Sequence, residues 1–263
     1  MSQEQQSEAL KKHVEWAGKF EIISRAPVKN RADLALAYTP GVADACLAIA
    51  KNPEEAYRLT RKNNLVAVIT NGTAVLGLGN IGPEASMPVM EGKSILFKEF
   101  AGVDAFPLCL STENVDEFVQ TVKNIALSFG AINLEDIKAP ECFEIERQLD
   151  EVLDIPVFHD DQHGTAIVVG AAVINAVKFL GKKNISDLKI VINGAGAAGI
   201  AITKHLNLLG ARNIYLVDKL GIIHSKYPNL NSEQEFLIEQ GLVKNEEGTL
   251  QDALTNADIF IGV

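Results

Sequence analysis

The sequence is poor in cysteine, in tryptophan and in positive charge. Three cysteines in 263 residues, Cys46, Cys109 and Cys142, are odd in number and widely spaced. That excludes a secreted disulfide framework and a CxxC metal pair, and it favours a reducing compartment. Lys plus Arg number 24 against 34 Asp plus Glu, a formal charge of -10. The basic footprint that would hold a nucleic acid or an anionic membrane is therefore missing. The most apolar stretch, Ala166 to Leu180, has 15 residues, short of the ~20 that span a bilayer. Met1 to Ser24 is charged and lacks the apolar segment and cleavage site of a signal peptide. Internal repeats and low-complexity tracts are absent too. A cytoplasmic location, with no nucleic-acid or membrane partner, is the expectation. What is present, 47% hydrophobic and 22% charged residues, is the composition of an ordinary globular protein. The length allows two modest domains, since a domain takes roughly 100 to 200 residues.

Hydrophobic periodicity predicts an α/β organisation. Leu10, Val14 and Ala17 recur at helical spacing and form a narrow apolar stripe, read as packing against a partner subunit. Leu65 to Ile69 and Ala105 to Leu110 are short apolar runs bounded by turn residues, as in buried strands. The period of 3.6 from Val115 to Phe129 predicts a helix capped by Ser111 or Thr112 and stopped by Gly130. Two further strands, Ile132 to Leu134 and Ile155 to Phe158, each deliver carboxylates at their ends, Glu135 and Asp136 and then Asp160 and Asp161. Ala166 to Leu180 is apolar nearly all round, which predicts a buried helix connecting two domains. Alternation then restarts with strand Leu188 to Ile192, helix Ile200 to Leu209, and strands Asn213 to Val217 and Ile259 to Val263.

Two glycine turns compete for a nucleotide. In IVINGAGAAG, Gly194, Gly196 and Gly199 follow a strand and open a helix, with Ala197 and Ala198 at its first positions. The first glycine permits the turn, the second lets the backbone approach a pyrophosphate, and the third packs helix on strand. Asp218 ends the next strand, 19 residues beyond Gly199, where a carboxylate accepts hydrogen bonds from ribose hydroxyls. Its negative charge favours NAD over NADP, an inference weakened by the neighbouring Lys219. The second match, Gly77, Gly79 and Gly82 in GLGNIG, also has an acid, Asp104, downstream. Pro83 and Pro88 would fall in the first turns of its helix, and the second proline removes a hydrogen bond and clashes with the preceding turn. That segment is read as a compact loop shaping a substrate pocket.

Glu135, Asp136 and Asp161 supply hard anionic oxygens, which suit Mg²⁺ or Mn²⁺ and leave positions for water and substrate. Exposed or capping acids are the competing reading, of about equal weight. His159 and His163 lie four apart, a zinc-like spacing, but no third His or Cys stands in local register. A catalytic lysine needs burial or a nearby cation to lose its proton; Lys93 and Lys98 share the apolar stretch Glu91 to Phe100, and pattern does not choose between them. Tyr38 precedes Pro40 and Gly41 in a turn, at a pocket edge or in simple packing.

In order along the chain, AYTPGVA at Tyr38, VITNGTAVLGLGNIGPEASMPVMEGK ending at Lys93, LED at Glu135 and Asp136, HDDQHGTA from His159 and GAGAAG resemble malic enzyme of the short bacterial type. The resemblance implies an N-terminal α/β substrate and metal domain over residues 1–165, followed by a Rossmann dinucleotide-binding domain over 166–263. It implies oxidative decarboxylation of malate to pyruvate and CO₂ with reduction of NAD(P)⁺, dependent on Mg²⁺ or Mn²⁺, in a homodimer or higher homo-oligomer. Lys93 would be the general base at the C2 hydroxyl, Tyr38 the acid at C3, and Asp160 a support for the lysine. Glu135, Asp136 and Asp161 would hold the metal. Malolactic or oxaloacetate-decarboxylating chemistry, or a non-catalytic nucleotide-binding module, are the alternatives. Two departures stand out. Asn71 to Val75 lacks the arginine that the larger-subunit branch carries before its GLG turn, and the family continues beyond Val263. The nucleotide domain is thus expected to be incomplete and residues 1–263 to be weakly active or inactive.

Overall fold

The computed structural model describes residues 7–181 and 184–263. The chain is mixed α/β, in the order α1 (Glu8–Trp16), α2 (Arg31–Ala37), α3 (Val42–Lys51), α4 (Glu55–Leu59), β1 (Leu65–Thr70), α5 (Pro83–Ala101), β2 (Asp104–Cys109), α6 (Val115–Ile125), β3 (Ala131–Leu134), α7 (Glu141–Val152), β4 (Val157–His159) and α8 (Thr165–Phe179). There follow β5 (Ile190–Asn193), α9 (Ala197–Leu208), β6 (Ile214–Asp218), β7 (Gly221–Ile222), α10 (Ser232–Glu239), α11 (Leu250–Leu254) and β8 (Ile259–Gly262). Two compact units divide the chain. One runs up to Asn133 and includes Leu149–Val157; the other comprises Leu134–Gln148 and Phe158–Val263.

The first unit begins with four short helices that bury no residue at all. They form for local reasons. Ser7 accepts from the Leu10 amide to cap α1, and Asn30 accepts from Ala32 and Asp33 to cap α2, each satisfying orphan donors of a first turn. Residues 31–51 are apolar and long enough to qualify as a membrane span by composition. The turn Tyr38–Gly41 divides that stretch, however, into helices of 7 and 10 residues, each far below the ~20 required.

Both early strands appear as the apolar runs predict, and β1 pairs with β2 in parallel, Leu65 opposite Asp104 and Thr70 opposite Cys109. The sheet order is β2-β1-β3-β4. Ala67, Val68 and Ile69 of β1, Phe118 and Val122 of α6 and Met90 of α5 are fully buried. Removing a ring such as that of Phe118 costs about 3–5 kcal/mol.

Three local expectations are corrected. Helix α6 is capped by Asn114, whose side chain accepts from the Glu117 amide, and neither Ser111 nor Thr112 caps it. Thr112 instead accepts from the Asn114 amide and donates to the Glu117 carboxylate. The α-helix also ends at Ile125 and passes into a 3₁₀ turn, Ala126–Ser128, before reaching Gly130. Strand β4 starts at Val157 rather than Ile155: Pro156 has no amide to donate, and its carbonyl accepts from Ile132.

The segment with the second glycine motif holds both a loop and a helix. Its loop closes on itself, Gly79 N–H donating to the Val75 carbonyl and Gly82 N–H to that of Gly72. Helix α5 then starts at Pro83, whose missing N–H costs nothing at the first helical position, and runs through Pro88. One interior proline so near the start removes a single hydrogen bond, and 19 residues of helix outweigh it.

In the second unit the order is β7-β6-β5-β8. Strands β6 and β8 flank β5 in parallel, and β7 is antiparallel to β6. Ile190, Ile192, Ile200, Ile202, Leu206 and Leu216 lie in its core at zero exposure. Helix α8 departs from the all-round burial that its composition predicts. Only Ala166, Gly170 and Val173 are buried, while Ile167, Val168 and Phe179 are exposed. One stripe suffices to pack α8 against α9, so its apolar opposite face remains open. Gly170 is in that stripe because a Cβ there would meet the His205 ring at 2.7 Å.

Candidate metal centre and nucleotide turn

Strand β3 ends at Leu134 and strand β4 at His159, so the residues that follow, Glu135 and Asp136 and then Asp160 and Asp161, leave two neighbouring strands of one sheet. Carboxylate oxygens of Glu135, Asp136 and Asp161 lie within 4.8 Å of one another. Glu135 and Asp136 are only 5% and 4% exposed. The reading of these acids as surface decoration is thereby ruled out.

Local backbone fixes the trio. Asp136 adopts φ 54°, a left-handed conformation that Asp tolerates better than most residues, and its amide donates to Asp161 Oδ2 at 2.8 Å. Asp160 to Gly164 form a single π turn before α8, a wide turn that recurs at functional sites. A Cβ on Gly164 would sit 2.2 Å from Asp160 Oδ1, so glycine there leaves room for the Asp160 side chain.

Around the turn, Glu146 of α7 accepts from the His159 amide and from Gln162 Nε2, both at 3.1 Å, and lies 2.8 Å from His163 Nε2. That contact raises the His163 pKa above its ordinary value, against the opposing effect of burial. His163 is thus engaged by a carboxylate. The His159 ring is fully buried with neither nitrogen hydrogen-bonded, and burial lowers its pKa despite the nearby acids. A zinc pair is not what these histidines form: among the described residues the one cluster of ligand spacing is the carboxylate trio. Burial pushes the Cys142 thiol up to about 12, which leaves it protonated and unreactive at neutral pH.

Three nearby acids repel one another unless a cation neutralises them, and all-oxygen donors suit Mg²⁺ or Mn²⁺. The chemistry of the three residues therefore fits a hard divalent ion, which Glu135, Asp136 and Asp161 would hold.

The glycine turn lies in the same unit. Its three glycines have three distinct reasons. At Gly194, with φ 120°, a Cβ would meet the Val263 carbonyl at 2.3 Å; at Gly199 it would meet the Gly194 carbonyl at 1.8 Å. At Gly196 it would meet nothing within 4 Å, leaving open approach to the backbone. Helix α9 starts immediately after, so the first-turn amides of Ala197, Ala198 and Gly199 point toward that opening. Gln234 of α10 donates to the Ala195 carbonyl at 2.9 Å and holds the turn from behind. Asp218 ends β6 and accepts from the Lys219 amide. It lines a cavity of about 510 Å³ together with Asn193, Gly194, Lys219 and Thr249. In the second glycine motif, by contrast, a Cβ at Gly77, Gly79 or Gly82 meets nothing, and the helix begins after the last glycine. Those glycines serve positive φ and make no close helix-strand contact.

The remaining candidates belong to the first unit. Lys93 is half-buried midway along α5, whereas Lys98 is exposed and ion-paired with Asp104 at 2.7 Å. The two lysines thus differ in exposure. Tyr38 ends α2 with 67% of its surface exposed. Glu146 and Gln234 are the residues that sequence reasoning overlooks, because each acts across 13 to 39 positions of chain.

Fold and sites together define an α/β protein in which a hard-metal carboxylate trio and a dinucleotide-type glycine turn are built into one unit. Residues 17–150 match the family model "Malic enzyme, N-terminal domain" and residues 162–263 match "Malic enzyme, NAD binding domain". The chain belongs to the malic enzyme family. It is 57% identical over 246 residues to an NAD-dependent malic enzyme of Geobacillus stearothermophilus, covering 94% of this chain and 51% of that protein. It is 52% identical over 257 residues to a bifunctional malic/malolactic enzyme of Bacillus subtilis, covering 97% and 62% respectively. The crystal structure of the NAD-dependent malic enzyme of Thermotoga maritima superposes with a TM-score of 0.93 at 47% identity, covering 98% of this chain and 69% of that one. The chain thus spans about half to two thirds of the length of these proteins.

Proposed function

We propose that this chain carries the substrate, metal and adenosine-side nucleotide groups of an NAD-linked, decarboxylating malate dehydrogenase. The carrying observation is the buried trio Glu135, Asp136 and Asp161, whose oxygens converge within 4.8 Å in the unit that also bears the glycine turn. On this reading residues 1–165 supply substrate and metal groups and residues 166–263 bind NAD⁺. Asp218 accepts hydrogen bonds from the adenosine ribose, where a 2′-phosphate would meet like charge. Glu135, Asp136 and Asp161 would hold a divalent cation, which would supply positive charge to the reacting oxygens of malate.

Lys93 would take the proton of the malate C2 hydroxyl, and bound NAD⁺ would supply the hydride acceptor. Loss of CO₂ from the resulting 2-keto acid gives the enol form of pyruvate, and Tyr38 returns a proton to C3. Base and acid are separate groups because the proton departs from one atom and returns at another. Asp160, beside the metal ligands on the π turn, supports the lysine.

The test is NADH formation at 340 nm on adding L-malate and Mn²⁺ to the protein at high concentration, so that weak turnover is still read. Lys93→Ala lowers kcat by about 10²-fold or more, while Mn²⁺ affinity stays unchanged. Turnover that survives in Lys93→Ala, or that needs no metal, refutes the reading. A malolactic outcome has support of its own in the similarity to the bifunctional protein; lactate instead of pyruvate plus reduced cofactor identifies it.

The protein is proposed to act as a homodimer or higher homo-oligomer in the cytoplasm. Support for the assembly comes from the N-terminal helices and the segment between them: Val14, Ile22, Ile23, Leu36 and Leu47 are each more than two thirds exposed. Support for the location is the acidic balance and the three free cysteines.

A further inference from the structure

The π turn that bears Asp160 and Asp161 is tied on one side to the end of β3, where the Asp136 amide donates to Asp161 Oδ2. A π turn closes through i to i+5 bonds, here from the Thr165 amide to the Asp160 carbonyl, and its opening is wider than that of an α-helix. Two acids so close to a third carboxylate are pushed outward by like charge. Something must hold them in.

The holding group is on α7. That helix is itself firmly seated, with Cys142, Ile145 and Leu149 at 0–1% exposure along its inner face. From between them Glu146, whose side chain is 16% exposed, turns toward the turn and engages it at three points. Oε1 accepts from the His159 amide, just before the two aspartates, and meets His163 Nε2 just after them; Oε2 accepts from Gln162 Nε2. The three contacts straddle Asp160 and Asp161 on both sides. Glu146 is not one of the converging carboxylates, so it acts on the ion only through the turn.

We propose that Glu146 is a positioning residue for the metal centre, a carboxylate clamp that fixes the Asp160–Gly164 turn so that Asp161 stays in register with Glu135 and Asp136. Partners of this kind that orient ligands without touching the ion change metal affinity by about 10- to 100-fold when removed. Glu146→Gln keeps the volume but replaces one acceptor by a donor, which opposes either the Gln162 donor or the His159 and His163 donors. Glu146→Ala removes the clamp altogether. Neither change touches the glycine turn.

The inference rests on the metal reading of the trio, and the experiment separates the two. Mn²⁺ affinity is measured by electron paramagnetic resonance of the free ion for the parent protein, Glu146→Gln and Glu146→Ala, alongside NAD⁺ binding by calorimetry and thermal melting. The expected result is a Mn²⁺ Kd raised at least tenfold in both variants, with NAD⁺ affinity within twofold of the parent and a cooperative melt retained. Parent-like Mn²⁺ binding by Glu146→Gln overturns the clamp while leaving the metal centre standing. Parallel loss of Mn²⁺ and NAD⁺ binding in both variants also overturns it, since that marks general structural damage. Failure of the parent protein to bind Mn²⁺ overturns the metal reading and the clamp with it.

Discussion

At Asp104 the electrostatics of a single side chain become a stability statement. Its carboxylate bonds first to Arg61 and then to Lys98, and both hold its pKa below the ordinary 3.8. A carboxylate depressed by folding contributes stability that is present above its unfolded pKa and is lost as pH falls through the folded value. Asp104→Asn is therefore expected to lower stability at pH 7 by roughly 1 kcal/mol, the range of partly exposed pairs. In urea melts the difference between parent and variant should shrink below pH 3.8 and vanish in stronger acid. A gap that persists unchanged at low pH contradicts this account. The same residue shows why a sequence match can mislead: standing downstream of GLGNIG it mimics a ribose acid, yet in the folded chain its oxygens are already engaged by two cations of its own unit.

Among the elements, the glycine turn before α9 separates fold from ligand binding. Gly199→Ala drives a methyl into the Gly194 carbonyl, so α9 must retreat from the sheet; both melting temperature and NADH affinity should fall, the latter by at least tenfold. Gly196→Ala meets only open space. It should leave the melting temperature within about 1 °C, since a substitution without clash falls within roughly ±0.5 kcal/mol, yet weaken NADH by obstructing the pyrophosphate. Fluorescence titration of NADH beside a thermal melt reads both, and equal behaviour of the two variants would contradict the division of roles. Most strands of both sheets were legible because apolar runs bounded by glycine and proline leave few alternatives; β7, of only two residues, was not, and the convergence of the trio followed because carboxylates at strand ends are placed by the strands themselves. Less was visible where several weak groups compete. Three adjacent polar residues could cap α6, and Asn114 wins by reaching the Glu117 amide. Pro88 reads as a helix breaker although one lost bond is tolerated in α5. Glu146 carries no local signature, because what singles it out is proximity to a turn 13 to 17 residues later.

For the whole molecule, the exposed N-terminal segment bears on the proposed assembly. Eleven large apolar side chains between Leu10 and Leu47 are at least 38% exposed. At ~100 Å² each they amount to on the order of 1,000 Å², above the ~300–600 Å² patch usual on a monomer and comparable with the ~800 Å² per partner of a standard interface. Sedimentation velocity is expected to give a dimer or larger species at micromolar concentration, and Leu36→Asp combined with Leu47→Asp to shift it toward the monomer. A parent protein that sediments as a monomer would end that proposal.

Strand β8 pairs with β5 along one side only. Every second amide and carbonyl on its far side is consequently a template awaiting hydrogen bonds, with Phe260 half-exposed beside them. Among the described residues that margin leaves the nucleotide sheet with an unpaired edge at the side next to Gly194.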